Sequence, residues 1–249
     1  MKTHEYSDGF FDYIDEGARS SAQELIRLVG SWVEPDSVLD LGSGRGVWLA
    51  EWLKAGALEV VGVDGDYVDR TQIVIPAESF IPADLTKPQD LGRNFDLAQS
   101  LEVGEHLPES ASSTLVGSLT HHSNRVLFSA AVPGQGGEFH INEKPLEYWR
   151  QLFKYAGYFP FDCVRPLLKN AGNVEPWYRY NTILYMNEDG MSDMPDEVLD
   201  SRIPDGTAVP HLGSISWRLR KTVVSLLPRN AVTMIATSRA SLINRKNRR

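Results

Sequence analysis

Residues 38–48 read VLDLGSGRGVW: an apolar run carrying Asp40, then Gly42, Gly44 and Gly46 within five positions, then apolar residues again. A short apolar run closed by glycines reads as a buried strand, and GVWLAEWLKAGA, which begins at Gly46, reads as a helix with Gly56 as its stop signal. Glycines let a backbone pass close to a ligand with no Cβ in the way, and the start of the next helix presents free N–H groups. Strand, glycine turn and helix in this order predict the cofactor loop of a nucleotide-type ligand. The turn alone does not say which, because a dinucleotide-binding turn carries similar glycines.

Outward from this stretch, apolar runs alternate with amphipathic ones from Ser37 to about Asn187. SVLDL, EVVGVD, SFIPADL, FDLAQSLE and RVLFSAAV read as five parallel strands, which predicts a Rossmann-like α/β sheet. A helix is expected from Glu109 to about Leu119, and none between Asp66 and Pro76, a connection too short and too β-branched. PLEYWRQLFKYAGY places Leu146, Trp149, Leu152, Phe153 and Ala156 at helical spacing between Pro145 and Gly157. FDCVRPL and YNTILYMN read as a closing hairpin pair. Four segments result: an N-terminal helical and lid segment (1–36) with aromatics ahead of Gly17, a catalytic domain (37–187), an acidic linker or mobile loop (188–213) and a basic helical tail (214–249).

The 249 residues, 42% hydrophobic, suffice for one well-buried α/β domain. The N-terminus lacks the apolar run of a signal peptide, and no stretch approaches the roughly 18 apolar residues of a membrane span, so a cytoplasmic protein is expected. The single cysteine, Cys163, reads as a buried thiol, and His121 and His122 as solvated residues at a helix end. Charge is unevenly spread. From Ser201 onward ten Lys/Arg face Asp205 alone, whereas 15 Lys/Arg face 32 Asp/Glu before it. So acidic a body argues against nucleic acid as the partner of the core.

Two further carboxylates sharpen the reading of the glycine loop. Asp64 ends the second strand, where it can accept both hydroxyls of a ribose, and Asp84 ends the third, where it can accept from an adenine amino group. With these residues on the page, the chain resembles the class I S-adenosylmethionine (SAM)-dependent methyltransferases over roughly Ser37 to Asn187. The resemblance implies a seven-stranded sheet with an antiparallel last strand, SAM as cofactor, and a binding set of Asp40, Gly42, Gly44, Gly46, Asp64, Gly65, Asp84, Leu85 and Ser100. Arg45 departs from the small or apolar residues common there and is expected to face outward.

The acceptor chemistry is sought at the ends of the fourth and fifth strands. SLEVGEHLP supplies Glu102, Glu105 and His106, and a helical turn after Leu101 would put Glu102 and His106 on one face. VPGQGGEFHINE supplies His140, Asn142 and Glu143 from a glycine-rich loop. Two carboxylates and two imidazoles suit a divalent cation, Mg²⁺ or another, that lowers the pKa of a hydroxyl, with a histidine as base. The expected metal set is Glu102, Glu105, His106 and His140, and the catalytic set His140, Glu102 and His106. The Glu-x-x-Glu-His phrase resembles the metal site of small-RNA 2′-O-methyltransferases, and it also occurs in metal-free class I methyltransferases, where the carboxylates cap a helix.

The longer phrase LFSAAVPGQGGEFHINEKPLEYW, with WYRYN downstream, resembles methyltransferases of bacterial polysaccharide and glycoside pathways, a mycobacterial mannoside 1-O-methyltransferase among them. It implies a sugar or oligosaccharide hydroxyl as acceptor. Trp177 and Tyr178 offer flat faces for pyranose rings or simply pack the core, and Asn142, Glu143 and Arg179 offer hydroxyl contacts. RNA 2′-O-methylation is the alternative, opposed by the acidic body. In the tail, Ile215, Leu219, Val223 and Leu226 form one stripe beside Arg218, Arg220 and Lys221, a pattern that suits peripheral membrane contact, a homodimer face or docking of the basic helix onto the acidic body.

Overall fold

The computed structural model describes residues 8–228 and 231–234. Seven strands, β1 (Ser37–Leu41), β2 (Glu59–Asp64), β3 (Phe80–Pro82), β4 (Leu97–Leu101), β5 (Arg125–Ser129), β6 (Phe159–Phe161) and β7 (Ile183–Met186), form one sheet in the order β3-β2-β1-β4-β5-β7-β6. Only β7 runs against its neighbours, pairing antiparallel with β5 and β6. This is the Rossmann-like sheet with an antiparallel last strand that the sequence pattern and the resemblance together lead one to expect.

Alternation along the strands builds two cores. Val38 and Val60 face one side with α1 (Asp8–Val33) and α2 (Val47–Ala55); Leu39 and Val63 face the other with α3 (Ser112–His122) and α4 (Leu146–Tyr155). Short helices α5 (Arg165–Leu168), α6 (Pro176–Asn181) and α7 (Asp196–Leu199) and the longer α8 (Ile215–Ser225) follow. No described helix is long and apolar enough to cross a membrane.

Several local expectations change. From Asp8 to Val33 the chain is one continuous helix whose Ala18, Ala22, Leu25, Ile26, Val29 and Val33 are buried at helical spacing, while Arg19 and Gln23 reach the buried Glu51 of α2 at 2.9 and 3.2 Å. The lid role expected of the aromatics ahead of Gly17 lies outside the described side chains. The hairpin pair β6 and β7 forms, but α5 and α6 fill its connection. Residues 188–213 are not a free linker: Met194, Val198, Ile203 and Val209 are buried, and the Arg150 guanidinium donates to the carbonyls of Pro204 and Thr207. Composition misleads there because a few well-spaced apolar side chains suffice to dock a segment. His122 is fully buried, its Nδ1 donating to the Ser118 carbonyl and its Nε2 accepting from the Leu91 amide, whereas His121 is exposed. Arg45 turns inward and is buried, its charge beside Asp69.

Candidate active site

The parallel strands bring their carboxyl ends to one edge, the place where open α/β sheets bind ligands. Gly42, Gly44 and Gly46 have φ of 96°, 53° and 85°, in the left-handed region that disfavours any residue with a Cβ. The Gly44 amide donates to Asp64 Oδ2 at 2.7 Å, so the first loop is pinned to the second strand end. Asp64 is buried, and its Oδ1 accepts from the Gly65 amide at 2.6 Å and from the Tyr67 hydroxyl. Burial raises its proton affinity against these bonds. The carboxylate expected to take a ribose therefore already holds a phenol, and Tyr67, three residues beyond, is a contact the motif reading missed.

Asp40 sits below the loop, and its carboxylate accepts from Gln99, which in turn accepts from the indole of Trp52. Burial pushes Asp40 up to about 7, opposed by the Gln99 bond and reinforced by Asp64. Ser100 spends its hydroxyl on the Leu41 carbonyl, and Leu85 is part of the core. Asp84 is exposed at the end of β3, held in a tight turn by the Thr86 amide and hydroxyl, which lower its proton affinity.

Val103 joins the cofactor loop to the second cluster: a Cβ on Gly42 would lie 2.3 Å from its side chain. The segment after β4 does not turn helically. Glu102 takes φ 58° and residues 104–106 form a turn, because the chain must leave the strand sharply to bring Glu105 beneath the β5 loop. Phe139 also takes φ 58°, so two of the three non-glycine residues with positive φ among those described lie in the two segments of this site.

Glu105, His106 and His140 converge, with one ligand atom from each lying within 4.8 Å of the others. Glu105 is completely buried and neither carboxylate oxygen has a hydrogen-bond partner of ordinary geometry; His140 Nε2 is 4.0 Å from Oε1. The other nitrogen, Nδ1, donates to Glu143 Oε1 at 2.9 Å, and Glu143 also accepts from the amides of Gly136 and Gly134 at 2.8 Å each. Glu143 thus orients His140. Gly137 must be glycine for the ring to lie where it does, since a Cβ would come within 2.2 Å of Nε2. Asn142 is buried, with its amide donating to the Gly104 carbonyl and the Ser112 hydroxyl, so it fastens the loop to the turn.

Glu102 stands beside this group and outside it, held by the amide donors of Gln135 and Asn181. Burial raises the proton affinity of Glu102 and, with Glu102 as neighbour, lifts that of Glu105 well above the carboxylate range. Burial and His140 push His106 down to about 3. One buried and one half-buried carboxylate short of compensating charge, facing two imidazoles, form a donor set that fits a cation.

A family model of methyltransferase domains matches residues 13–162. The chain belongs to that family. Solved structures of similar fold include the sugar N-methyltransferase KedS8 from Streptoalloteichus sp. (16% identity, TM-score 0.57, covering 75% of this chain and 97% of that one) and DesVI from Streptomyces venezuelae (14%, 0.55, 72% and 96%). An O-methyltransferase family protein from Burkholderia thailandensis aligns over 70% of this chain and only 56% of its own, at 14% identity and TM-score 0.53. At such identities the likeness is one of fold. A search of curated proteins finds no match. As a member of this family the protein is a SAM-dependent methyltransferase.

The remaining sequence-predicted positions of this methyltransferase lie on α6. Tyr178 is buried edge-on to Trp48 at 5.0 Å, with Glu102 near enough to raise its proton affinity beyond what burial does. Trp177 is half-buried against the core, and Arg179 lies over the Tyr180 ring at 5.2 Å. A cleft of about 250 Å³ opens beside His140 and Glu143, walled on its far side by Val224, Leu227 and Val232 of the C-terminal segment. Motif spacing gave no sign of that wall; only the packing of the tail on the glycine loop reveals it.

Proposed function

We propose that this methyltransferase places the SAM methyl group on a hydroxyl of a sugar or oligosaccharide, mannosides first among the candidates, at a site where Glu105, His106 and His140 hold a divalent metal. The observation that carries the reading is the pairing of a buried carboxylate, whose oxygens make no hydrogen bond of ordinary geometry, with a histidine whose far nitrogen is fixed by Glu143. Metal-bound histidines are commonly oriented by such a carboxylate. One carboxylate and two imidazoles favour a transition-metal ion such as Mn²⁺, which accepts nitrogen more readily, over Mg²⁺, which prefers oxygen. When bound, the metal would supply a lowered pKa to the acceptor hydroxyl.

The chain's own residues supply the rest. Glu102, outside the ligand group and with its proton affinity raised by burial, would receive the hydroxyl proton. The contact between Gly42 and Val103 sets the donor loop against the acceptor turn, as an in-line displacement requires. The sugar class is supported by the sequence phrase around His140 and by the half-buried Trp177.

A second reading keeps the metal out and uses His140 as the base. The Glu143 bond to Nδ1 favours it equally, since it leaves Nε2 as the acceptor. Ligation and base catalysis compete for that one lone pair. Labelled-methyl transfer over mannosides, glucosides and short oligosaccharides, with chelator and with Mn²⁺ restored, separates the two. Activity lost to chelator and recovered with Mn²⁺ supports the metal, retained activity supports the Glu143–His140 dyad, and SAM binding without sugar turnover refutes the acceptor class.

A further inference from the structure

The C-terminal helix has two faces with different tasks. On the inner face Trp217 is buried against Tyr180 at 5.9 Å between ring centroids, Arg220 donates to the Gln135 carbonyl at 2.6 Å, and the Lys221 carbonyl lies so close to Gly134 that a Cβ there would come within 2.5 Å. This face is fitted to the loop that carries His140. On the opposite face Ile215, Leu219, Val223 and Leu226 are 79%, 62%, 60% and 79% exposed, and at 3.6 residues per turn they form one stripe. Leu227 and Met234 extend the exposed apolar surface. From Gly206 to the end of the chain there are nine Lys/Arg and no Asp/Glu.

We propose that this stripe docks the enzyme on an anionic lipid bilayer, and that the acceptor is a sugar carried on a lipid, entering the cleft whose wall is the same segment. The acceptor half rests on the function proposed above; the docking half does not. The charge pattern selects this occupant. A second copy meeting the same face across a two-fold would set two strongly cationic segments together, whereas an anionic bilayer takes both the apolar side chains and the cations. The acidic remainder of the chain is repelled from such a surface, so the molecule settles tail-down. Because Val224 and Val232 line the cleft beside His140 from the inner side of this segment, that orientation holds the cleft about 10 Å, one helix diameter, above the headgroups.

The docking half is tested by flotation of the full chain with vesicles of phosphatidylcholine containing phosphatidylglycerol, and with phosphatidylcholine alone, using wild type and the Leu219→Glu/Val223→Glu double variant. Both substituted side chains point to solvent, so the variant is expected to fold and to bind SAM as wild type does. Wild type should float with anionic vesicles, less so at high salt, and the variant should stay behind. Equal flotation of both, no flotation of wild type, or a change from dimer to monomer in the variant without vesicles overturns docking. The acceptor half is read from methyl transfer to a long-chain alkyl mannoside embedded in the anionic vesicles against a short-chain soluble one. A tenfold or greater preference for the embedded acceptor, lost in the variant, supports it; equal turnover of the two overturns it. A lack of transfer to either, with flotation intact, refutes the sugar reading instead.

Discussion

Replacing Glu143 by Gln tests the site at its hinge. The carboxylate accepts three hydrogen bonds on two oxygens: His140 Nδ1 and the Gly136 amide on Oε1, the Gly134 amide on Oε2. A glutamine keeps one acceptor oxygen and presents an NH₂ to whichever donor remains, so at least one bond to a charged acceptor is lost, at about 1.5–3 kcal/mol. For a chain of this length that corresponds to a fall in Tm of about 3–12 °C. His140 loses its fixed tautomer and orientation as well, a loss typically worth about 10–100-fold in metal affinity or activity. The assays are thermal unfolding, Mn²⁺ titration by calorimetry, and methyl transfer, with SAM affinity as the control expected to hold. The pH dependence has a definite sign. Burial alone would raise the proton affinity of Glu143, but the His140, Gly136 and Gly134 bonds lower it below the usual value. Its stabilisation is therefore present above the unfolded carboxylate pKa of about 4.3 and is lost as pH falls through the folded value. The stability gap between wild type and variant should be full at pH 6 and shrink below pH 4. Wild-type Mn²⁺ affinity and turnover in the variant, or a gap that widens in acid, would refute the orienting role.

Three further outcomes follow from the donor side. Asp64→Ala should lower SAM affinity at least 100-fold with the fold intact, and calorimetry showing unchanged affinity would mean that the strand-end carboxylate does not bind the donor. Tyr67→Phe removes a hydroxyl that competes for that carboxylate, so SAM should bind as well or up to about fivefold tighter, one hydrogen bond being worth about 1 kcal/mol; a tenfold loss would show that the phenol contacts the donor itself. Asp40, pushed up to about 7 by burial, binds its proton more tightly when folded, so its contribution favours acid and is lost as pH rises from about 4 through 7. Unfolding of the ligand-free protein compared with Asp40→Asn should show the variant gaining relative stability over that range, and parallel pH profiles would contradict the assignment.

The amino-acid sequence determined the sheet and the glycine turn after β1 because both rest on local signals. A strand of period two, glycines that must take positive φ, and carboxylates at strand ends are written within a few residues of one another, as in Val38 to Gly46 and at Asp64. It also placed Glu105, His106 and His140 in the two loops that meet, since neighbouring strands of a parallel sheet end side by side. What it could not supply was direction. Glu143 reads as a substrate contact in His-x-Asn-Glu, yet its oxygens point back to His140 and two backbone amides. Glu102 looks equivalent to Glu105 until a left-handed residue turns it toward Gln135 and Asn181. The acidic stretch around Met194 reads as detached because composition averages over many residues, whereas docking is decided by the few side chains that find a gap. Side-chain direction and long-range packing depend on neighbours distant in the chain, and so the orientation of the site and the wall of its cleft were decided only by the tertiary structure.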